Sequence, residues 1–274
     1  MERTLAPPER RVARVSGIER LGAYYVIGAE DASGPEPRPG QFYMLSSARG
    51  WGGQRDERPY LPRAFSYARA RASGAGVALD FLLEVVGPGT GRLAGLAPGY
   101  GLCLVGPLGI GFDIDAGAGR PLLVGGGIGA APLLCLEEQL LEMGEEARVL
   151  LGFRTAAHAQ AAALFGSGAA VVTDDGSVGR QAFVTELLRE ELDADPAARV
   201  FACGPPAMLE AVRALCAERE TRAQLALESG MACGFGACFG CVVPTREGYL
   251  RLCVDGPVLD AERLETVLFP GAGH

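Results

Sequence analysis

Four of the chain's eight cysteines fall within one short glycine-rich stretch near its C-terminal end. This stretch limits the possible folds more than any other feature of the sequence. The spacing is Cys233-x4-Cys238-x2-Cys241-x11-Cys253. Thiols gathered this closely are typical of a disulfide knot, a zinc site or an iron–sulfur cluster. We therefore expect the chain to curl into a tight loop around these sulfur atoms.

The N-terminal sequence and the net charge indicate a compartment and argue against two classes of partner. The first ten residues, MERTLAPPER, lack the apolar stretch of a secretory signal, and no apolar run is long enough to span a bilayer. We expect a cytoplasmic protein, in which thiols stay reduced, so disulfides are disfavoured. The net charge of −8 argues against nucleic acid or an anionic membrane as a partner.

The spacing of the four thiols distinguishes zinc from an iron–sulfur cluster. Structural zinc sites usually present their ligands in two close pairs, whereas x4 followed by x2 and a later fourth cysteine is typical of plant-type [2Fe–2S] loops. The two histidines, His158 and His274, lie outside the segment. Gly234, Gly236 and Gly240 would let the backbone curl and direct N–H groups at the sulfurs. We predict a [2Fe–2S] cluster on the four cysteines, with zinc as the alternative.

The rest of the chain shows two different patterns of apolar residues. Up to Phe112, short alternating runs such as AYYVIGAE are separated by glycine and proline, which predicts an antiparallel barrel. From Arg120 onward, buried strands alternate with helical stretches, one of them over about Ala130–Met143, which predicts a doubly wound parallel sheet. The predicted fold class is β plus α/β. The predicted domains are a barrel over 1–115, a nucleotide-binding α/β domain over 116–222 and a cysteine segment over 223–274.

Two glycine turns in the α/β region point to a dinucleotide. In LLVGGGIGAAPL, Gly125, Gly127 and Ala130 fit G-x-G-x-x-A between a strand and a helix, where a pyrophosphate can approach the helix N-terminus. A second turn, CGPPAM, follows a later strand. The same glycines would also suit a tight turn without a ligand. Arg154 follows the second strand and no acidic residue for a ribose hydroxyl stands out, so NAD versus NADP stays open. The predicted binding residues are Gly125, Gly127, Gly129 and Gly204.

A third motif, PRAFSYA, lies in the barrel region. By itself the motif would indicate only a solvated arginine beside an ordinary core phenylalanine. A flavin would give these residues a role, because its pyrophosphate favours arginine and its ring edge favours a hydroxyl or backbone donor. Gly89 and Thr90, further along, would then supply N–H and hydroxyl donors to the phosphates.

Together these motifs resemble the ferredoxin–NADP reductase superfamily. The motifs that resemble those of the superfamily are RAFS, the GT turn, GPLGIGF, GGGIGAAPL, TDDGSVG and CGPPAM. The tail ESGMACGFGACFGCVV narrows it to the electron-transfer subunits of type B dihydroorotate dehydrogenase. The resemblance covers nearly the whole chain and implies a bound FAD. The residues it assigns to FAD are Arg63, Ala64, Phe65, Ser66, Leu82, Leu83, Glu84, Gly89 and Thr90, the 82–84 segment mainly through its backbone.

The resemblance also implies an activity and a partner. NAD would be a co-substrate that exchanges a hydride with the flavin, and the cluster would pass electrons singly to the FMN of a separate dihydroorotate dehydrogenase catalytic subunit. It further implies a heterotetramer with two of each subunit, working in pyrimidine biosynthesis. No residue of this chain is predicted to be catalytic toward dihydroorotate. The alternatives are a flavin/iron–sulfur subunit of a related NAD(P)H-dependent transhydrogenase or sulfide dehydrogenase, and a zinc-bearing module that senses nucleotide without catalysis.

The chain departs from the family pattern at three places. Ala64 stands where the family usually has proline. Glu84 stands where a basic residue is common, so no side-chain contact from Glu84 to FAD is expected. The segment Ser46–Pro62, rich in glycine and arginine, is longer than usual and is predicted to be a mobile loop without an assigned role.

Overall fold

A computed structural model describes most of the chain. The described residues are 9–51, 61–115, 119–166 and 168–273. Most of the loop predicted over Ser46–Pro62 lies outside them, as does His274, whereas Ser46 and Ser47 belong to a strand and not to a loop. Within the described ranges no helix is long and apolar enough to cross a membrane.

The N-terminal part forms one antiparallel sheet and a short helix. Its elements are β1 (Arg11–Leu21), β2 (Tyr24–Asp31), β3 (Phe42–Ser47), β4 (Arg63–Ser66), β5 (Arg69–Ser73), β6 (Gly76–Glu84), α1 (Pro88–Ala94) and β7 (Gly101–Leu108). The strands are ordered β4-β3-β7-β1-β2-β6-β5. Residues at alternate positions, among them Leu45, Leu79 and Phe81, share one buried cluster with residues of β1, β2 and β7. Because five strands enclose one core, the sheet curls into a half-barrel, which confirms the predicted antiparallel fold.

The middle of the chain alternates strands and helices, as predicted. Its elements are β8 (Pro121–Gly126), α2 (Ala130–Glu142), β9 (Arg148–Phe153), α3 (Ala156–Ala159), β10 (Ala169–Thr173), β11 (Arg180–Gln181), α4 (Val184–Ala194), β12 (Arg199–Cys203), α5 (Pro206–Glu218) and β13 (Ala223–Ala226). All six residues of β8 are buried, because helices cover both faces of a parallel sheet. In α4 the buried residues Val184, Leu188 and Leu192 recur at helical spacing and form its packed face.

The C-terminal part folds as a loop that returns to the α/β sheet. Its elements are β14 (Val242–Thr245), β15 (Gly248–Arg251), α6 (Leu252–Asp255) and β16 (Val258–Asp260). The α/β sheet has the order β11-β10-β9-β8-β12-β13-β16, parallel except for the last pair. Since β13 and β16 both belong to it, the sheet extends past the predicted domain boundary at residue 222. The cysteine loop and the β14–β15 hairpin are thereby anchored to the sheet at both ends.

Candidate functional site

The candidate site is a cavity of about 630 Å³ bounded by all three parts of the chain. One wall comes from the half-barrel, a second from the start of α2, and a third from residues 227–232, which lead into the cysteine loop. Most of the residues predicted to hold FAD line the first wall. They are Arg63, Ala64, Phe65, Ser66, Leu82, Glu84 and Thr90. Leu83 does not, because alternation along β6 turns its side chain into the half-barrel core.

Arg63 and Gly89 meet at one end of this wall. Gly89 lies in the first turn of α1, and a Cβ atom added to it would stand 2.9 Å from the Nε of Arg63. The guanidinium therefore lies against the helix backbone, and a larger residue at this position would displace it. Arg63 also donates through Nη1 to the carbonyl of Leu61 at 2.7 Å. A guanidinium beside first-turn N–H groups creates a positive region that suits a phosphate.

Thr90 has a structural role that no sequence motif indicates. Its hydroxyl accepts hydrogen bonds from the N–H groups of Val86 and Gly87, at 2.9 and 3.1 Å. It donates to the carbonyl of Gly87 at 3.0 Å. The hydroxyl predicted to serve a phosphate is thus engaged in capping α1.

The predicted dinucleotide turn lies at the carboxyl edge of the sheet, but packing explains most of its glycines. A Cβ on Gly129 would stand 2.3 Å from the carbonyl oxygen of Cys203, and one on Gly125 would stand 2.7 Å from the Leu151 side chain. Gly204 is similarly crowded by Met208. Gly127 differs from these three, because it has a left-handed backbone (φ +56°) and its Cβ direction meets nothing nearer than 3.8 Å among the described residues.

The turn nevertheless faces the cavity. Ile128 lies in the single 3₁₀ turn of residues Gly127–Gly129, and Ala131 and Pro132 lie at the start of α2; all three line the cavity. The second turn lies beside the first because β12 pairs with β8, with Cys203 opposite Gly125. A dinucleotide bound over these turns would therefore meet whatever occupies the cavity.

The cysteine loop packs against the half-barrel with the predicted tight curvature. Gly234 and Gly236 adopt left-handed backbone angles, φ +82° and +88°. A Cβ on Gly234 would stand 2.4 Å from the side chain of Met44 in β3, so the loop lies directly on that strand. Gly240 does not have such an angle; the residue before it, Phe239, does (φ +58°).

The four cysteines of the loop stand in two pairs. The thiols of Cys233 and Cys238 interact with each other, as do those of Cys241 and Cys253. Backbone N–H groups also reach the sulfurs: Gly240 donates to the Sγ of Cys238 and Cys253 to the Sγ of Cys241, both at 3.4 Å.

These contacts favour thiolates at two of the cysteines. Burial raises the pKa of the Cys233 thiol, but hydrogen bonds from Cys238, Phe235 and Ala237 outweigh it and lower the pKa to about 7. The hydrogen bond from the Cys253 thiol lowers the pKa of Cys241 to about 6. Thiolates are the form that binds metal.

The pairing suits the predicted cluster. A [2Fe–2S] cluster contains two irons and is held by four cysteines, so it suits two pairs of cysteine sulfurs. Cys241 and Cys253 are buried, while Cys238 is exposed, so one edge of the loop faces solvent.

Two polar groups at this site cannot be identified from sequence spacing. Glu228 lines the cavity with an exposed side chain. The hydroxyl of Tyr24 is buried without a hydrogen-bond partner among the described residues. It lies 3.8 Å from the position that a Cβ atom on Gly127 would occupy. Both groups reach the site only when the half-barrel packs on the α/β sheet, so no local motif marks them.

Comparisons with known proteins agree with this geometry. Residues 228–265, which contain all four loop cysteines, match the family model "Iron-sulfur cluster binding domain of dihydroorotate dehydrogenase B". The chain is 37% identical over 238 residues to the "Dihydroorotate dehydrogenase B (NAD(+)), electron transfer subunit" of Listeria monocytogenes, which covers 83% of this chain and 87% of that protein. The protein of the same name from Caldanaerobacter subterraneus is 34% identical, covering 92% and 97%.

Solved structures show the same fold at lower identity. One is an NADH-dependent reduced ferredoxin-NADP oxidoreductase studied for flavin-based electron bifurcation, with a TM-score of 0.75, 24% identity, and coverage of 93% of this chain and 90% of that one. Another is the ferredoxin reductase in carbazole 1,9a-dioxygenase, with a TM-score of 0.65, 19% identity, and coverage of 79% and 67%. These similarities support the predicted β plus α/β architecture.

Proposed function

Because the chain belongs to the family of dihydroorotate dehydrogenase B electron transfer subunits, we propose that it carries electrons between NAD(H) and the FMN of a catalytic partner that interconverts dihydroorotate and orotate. The observation that carries the proposal is the shared cavity. The strand bearing Arg63 and Ser66, the glycine turn before α2, and the segment that continues into Cys233 all line it. A flavin there would lie between a dinucleotide and a cluster.

The described residues fit the three groups. Arg63 beside the first turn of α1 would hold the FAD pyrophosphate, and the β4 strand would lie along the ring system. Gly127 would admit the NAD pyrophosphate, because a Cβ atom on it would meet only the Tyr24 hydroxyl, at 3.8 Å, among the described residues. The two cysteine pairs would hold the [2Fe–2S] cluster. When bound, FAD exchanges a hydride with nicotinamide and single electrons with the cluster.

The chain's own residues position these groups and exclude water. Phe42, Leu82 and Pro257 give the cavity an apolar lining, so a flavin ring would be desolvated. Residues 227–232 form one wall and lead without a break into Cys233. The loop therefore lies close enough to the cavity for electron transfer to need no further carrier between flavin and cluster.

The exposed side of the cysteine loop is the proposed docking surface for the catalytic partner. Around Cys238, which is exposed, Phe235 and Phe239 are 48% and 63% exposed. Aromatic residues are enriched at the centres of protein interfaces. We expect a heterotetramer with two of each subunit, in the cytoplasm.

The partner requirement is directly testable. We expect the isolated subunit to oxidise NADH with an artificial acceptor, and to oxidise no dihydroorotate until the FMN-bearing subunit is added. Phe239→Asp should preserve the first activity and weaken the second, because a charge at an interface centre is desolvated on docking. Leu141→Asp, at an exposed residue near the far end of α2, is the matched control. Dihydroorotate oxidation by the isolated chain would contradict the proposal.

A further inference from the structure

An ion-pair cluster joins the half-barrel to the α/β sheet and is not used by the function proposed above. Arg154 donates through Nη2 to the Oε1 of Glu84. The same nitrogen lies 2.9 Å from Nε2 of His158, which lies 3.3 Å from that carboxylate oxygen. Glu84 ends β6, Arg154 follows β9 and His158 belongs to α3. The cluster therefore forms only when the two domains pack together.

The cluster lies beside the glycine turn. β8 and β9 are parallel neighbours, with Gly126 opposite Gly152, so Arg154 leaves the sheet at the same carboxyl edge as the turn. Tyr24 lies between the two features. Its ring contacts His158 edge-on, with 5.6 Å between centroids, and its hydroxyl, which has no hydrogen-bond partner among the described residues, faces Gly127. Glu84 also lines the flavin cavity, so the cluster borders both predicted cofactor sites.

The contact between Glu84 and Arg154 is one that a phosphate can replace. The Arg154 side chain is 63% exposed and that of Glu84 is 26% exposed, and ion pairs this accessible to solvent contribute little to stability. A pyrophosphate offers more negative charge and more acceptor oxygens than one carboxylate, and its geometry suits the planar guanidinium. Arg154 is therefore held near the turn by a carboxylate that binds it only weakly.

We propose that Glu84 competes with the phosphates of the dinucleotide for Arg154 and thereby sets the affinity of the glycine turn for the dinucleotide. The inference rests on the proposed binding of a dinucleotide at this turn. With the turn free, Glu84 holds Arg154 across the domain boundary. A pyrophosphate on the turn takes the guanidinium and releases Glu84, whose carboxylate then faces the flavin cavity with His158 still beside it. Glu84 is a positioning residue in this scheme, since it acts through Arg154.

The test measures binding without electron transfer. ADP-ribose has the pyrophosphate of NAD but no nicotinamide, so calorimetry on the flavin-loaded subunit reports its affinity alone. Glu84→Gln should tighten ADP-ribose about two- to fivefold, because it removes the competing charge and keeps the shape. Arg154→Gln should weaken it about tenfold. The double variant should match Arg154→Gln, because Glu84 then has nothing to compete for.

Two further variants keep the test decisive. Glu30→Gln is the matched control, because it also removes one carboxylate. Glu84 pairs with Tyr24 at the start of β2, whereas Glu30 lies near the end of β2 and accepts a hydrogen bond from Ser73. This variant should leave the affinity for ADP-ribose unchanged. Glu84→Ser replaces the first variant if Glu84→Gln folds poorly. If Glu84→Gln or Glu84→Ser binds ADP-ribose no more tightly than the wild-type subunit, the inference is overturned. It is also overturned if removing the Glu84 carboxylate tightens binding equally when Arg154 is already replaced by Gln. If the wild-type subunit binds no ADP-ribose, the proposed dinucleotide site itself is wrong and the inference falls with it.

Discussion

At the scale of single residues, one arginine contacts the cysteine loop at two of its turns. Phe239 adopts a left-handed backbone angle, which is costly for a bulky residue, and the Arg251 guanidinium lies 5.2 Å from the centre of its ring. Arg251 also donates to the carbonyl of Gly236 at 3.2 Å. One arginine thus fixes two turns of the loop, and a strained residue of this kind is typical of a functional site.

Cys238 is the ligand whose replacement tests the cluster most simply, because it is exposed and its loss leaves the core intact. We expect Cys238→Ser to lose most iron–sulfur absorbance and to keep its flavin. Iron and acid-labile sulfide per protein are the measurements. Cys216→Ala, at a buried cysteine of α5, should keep full iron content. Full iron and sulfide in Cys238→Ser would rule out the assignment.

Arg63 is the residue we expect to matter most for flavin retention. Arg63→Ala removes a charge-assisted contact to a phosphate, worth about 1.5–3 kcal/mol. The FAD dissociation constant should rise roughly ten- to a hundredfold, measured by flavin release on dilution. Arg71→Ala on β5, where the arginine pairs with Asp80, is the control and should retain FAD. If Arg63→Ala keeps its FAD occupancy on dilution, Arg63 is a strand arginine that does not bind the flavin.

At the scale of elements, sequence patterns identified the regular strands and helices but not the irregular ones. α2 begins at Ala130, as the glycine motif predicts, and ends within one residue of the predicted Met143. α1 was not predicted, because PGTGRLA has poor helix propensity and depends on the Thr90 cap and on packing. β16 has three residues, too few to show a period, and only its pairing with β13 defines it.

In the candidate site too, local sequence patterns mark some residues and not others. The cysteine spacing is a local signal and the RAFS strand becomes one through the family resemblance, so both sets of residues are predictions from sequence. The glycine motif was also found, but its packing against Cys203 and Met208 could not be separated from ligand contact. The positions of Tyr24 and Glu228 depend on domain packing, which no local pattern records.

The packing of the glycine turn leads to a stability prediction. Gly129→Ala would place a methyl group against the Cys203 carbonyl, so we expect the free energy of unfolding to fall by about 1–3 kcal/mol. Denaturant unfolding of the flavin-free protein measures it. Gly166→Ala, where a Cβ meets no described atom within 4 Å, should change little. Equal stability of the two variants would mean that ligand contact, and not packing, requires the glycine.

At the scale of the whole molecule, the chain is organised around one cavity that its three parts share. The half-barrel supplies Arg63, the α/β sheet supplies the glycine turn, and the C-terminal part supplies residues 227–232, which lead into the cysteine loop. The anchoring of that loop by β13 and β16 keeps it against the cavity. A rigid arrangement of this kind is what sequential electron transfer between fixed cofactors requires.

The most direct test of the account is an anaerobic NADH titration of the isolated subunit, followed by flavin absorbance and by paramagnetic resonance of the reduced cluster. The account predicts that NADH bleaches the flavin and reduces the cluster, and that subunit stripped of FAD shows no cluster reduction. A cluster that stays oxidised while the flavin is reduced, or that NADH reduces equally well without FAD, would contradict it.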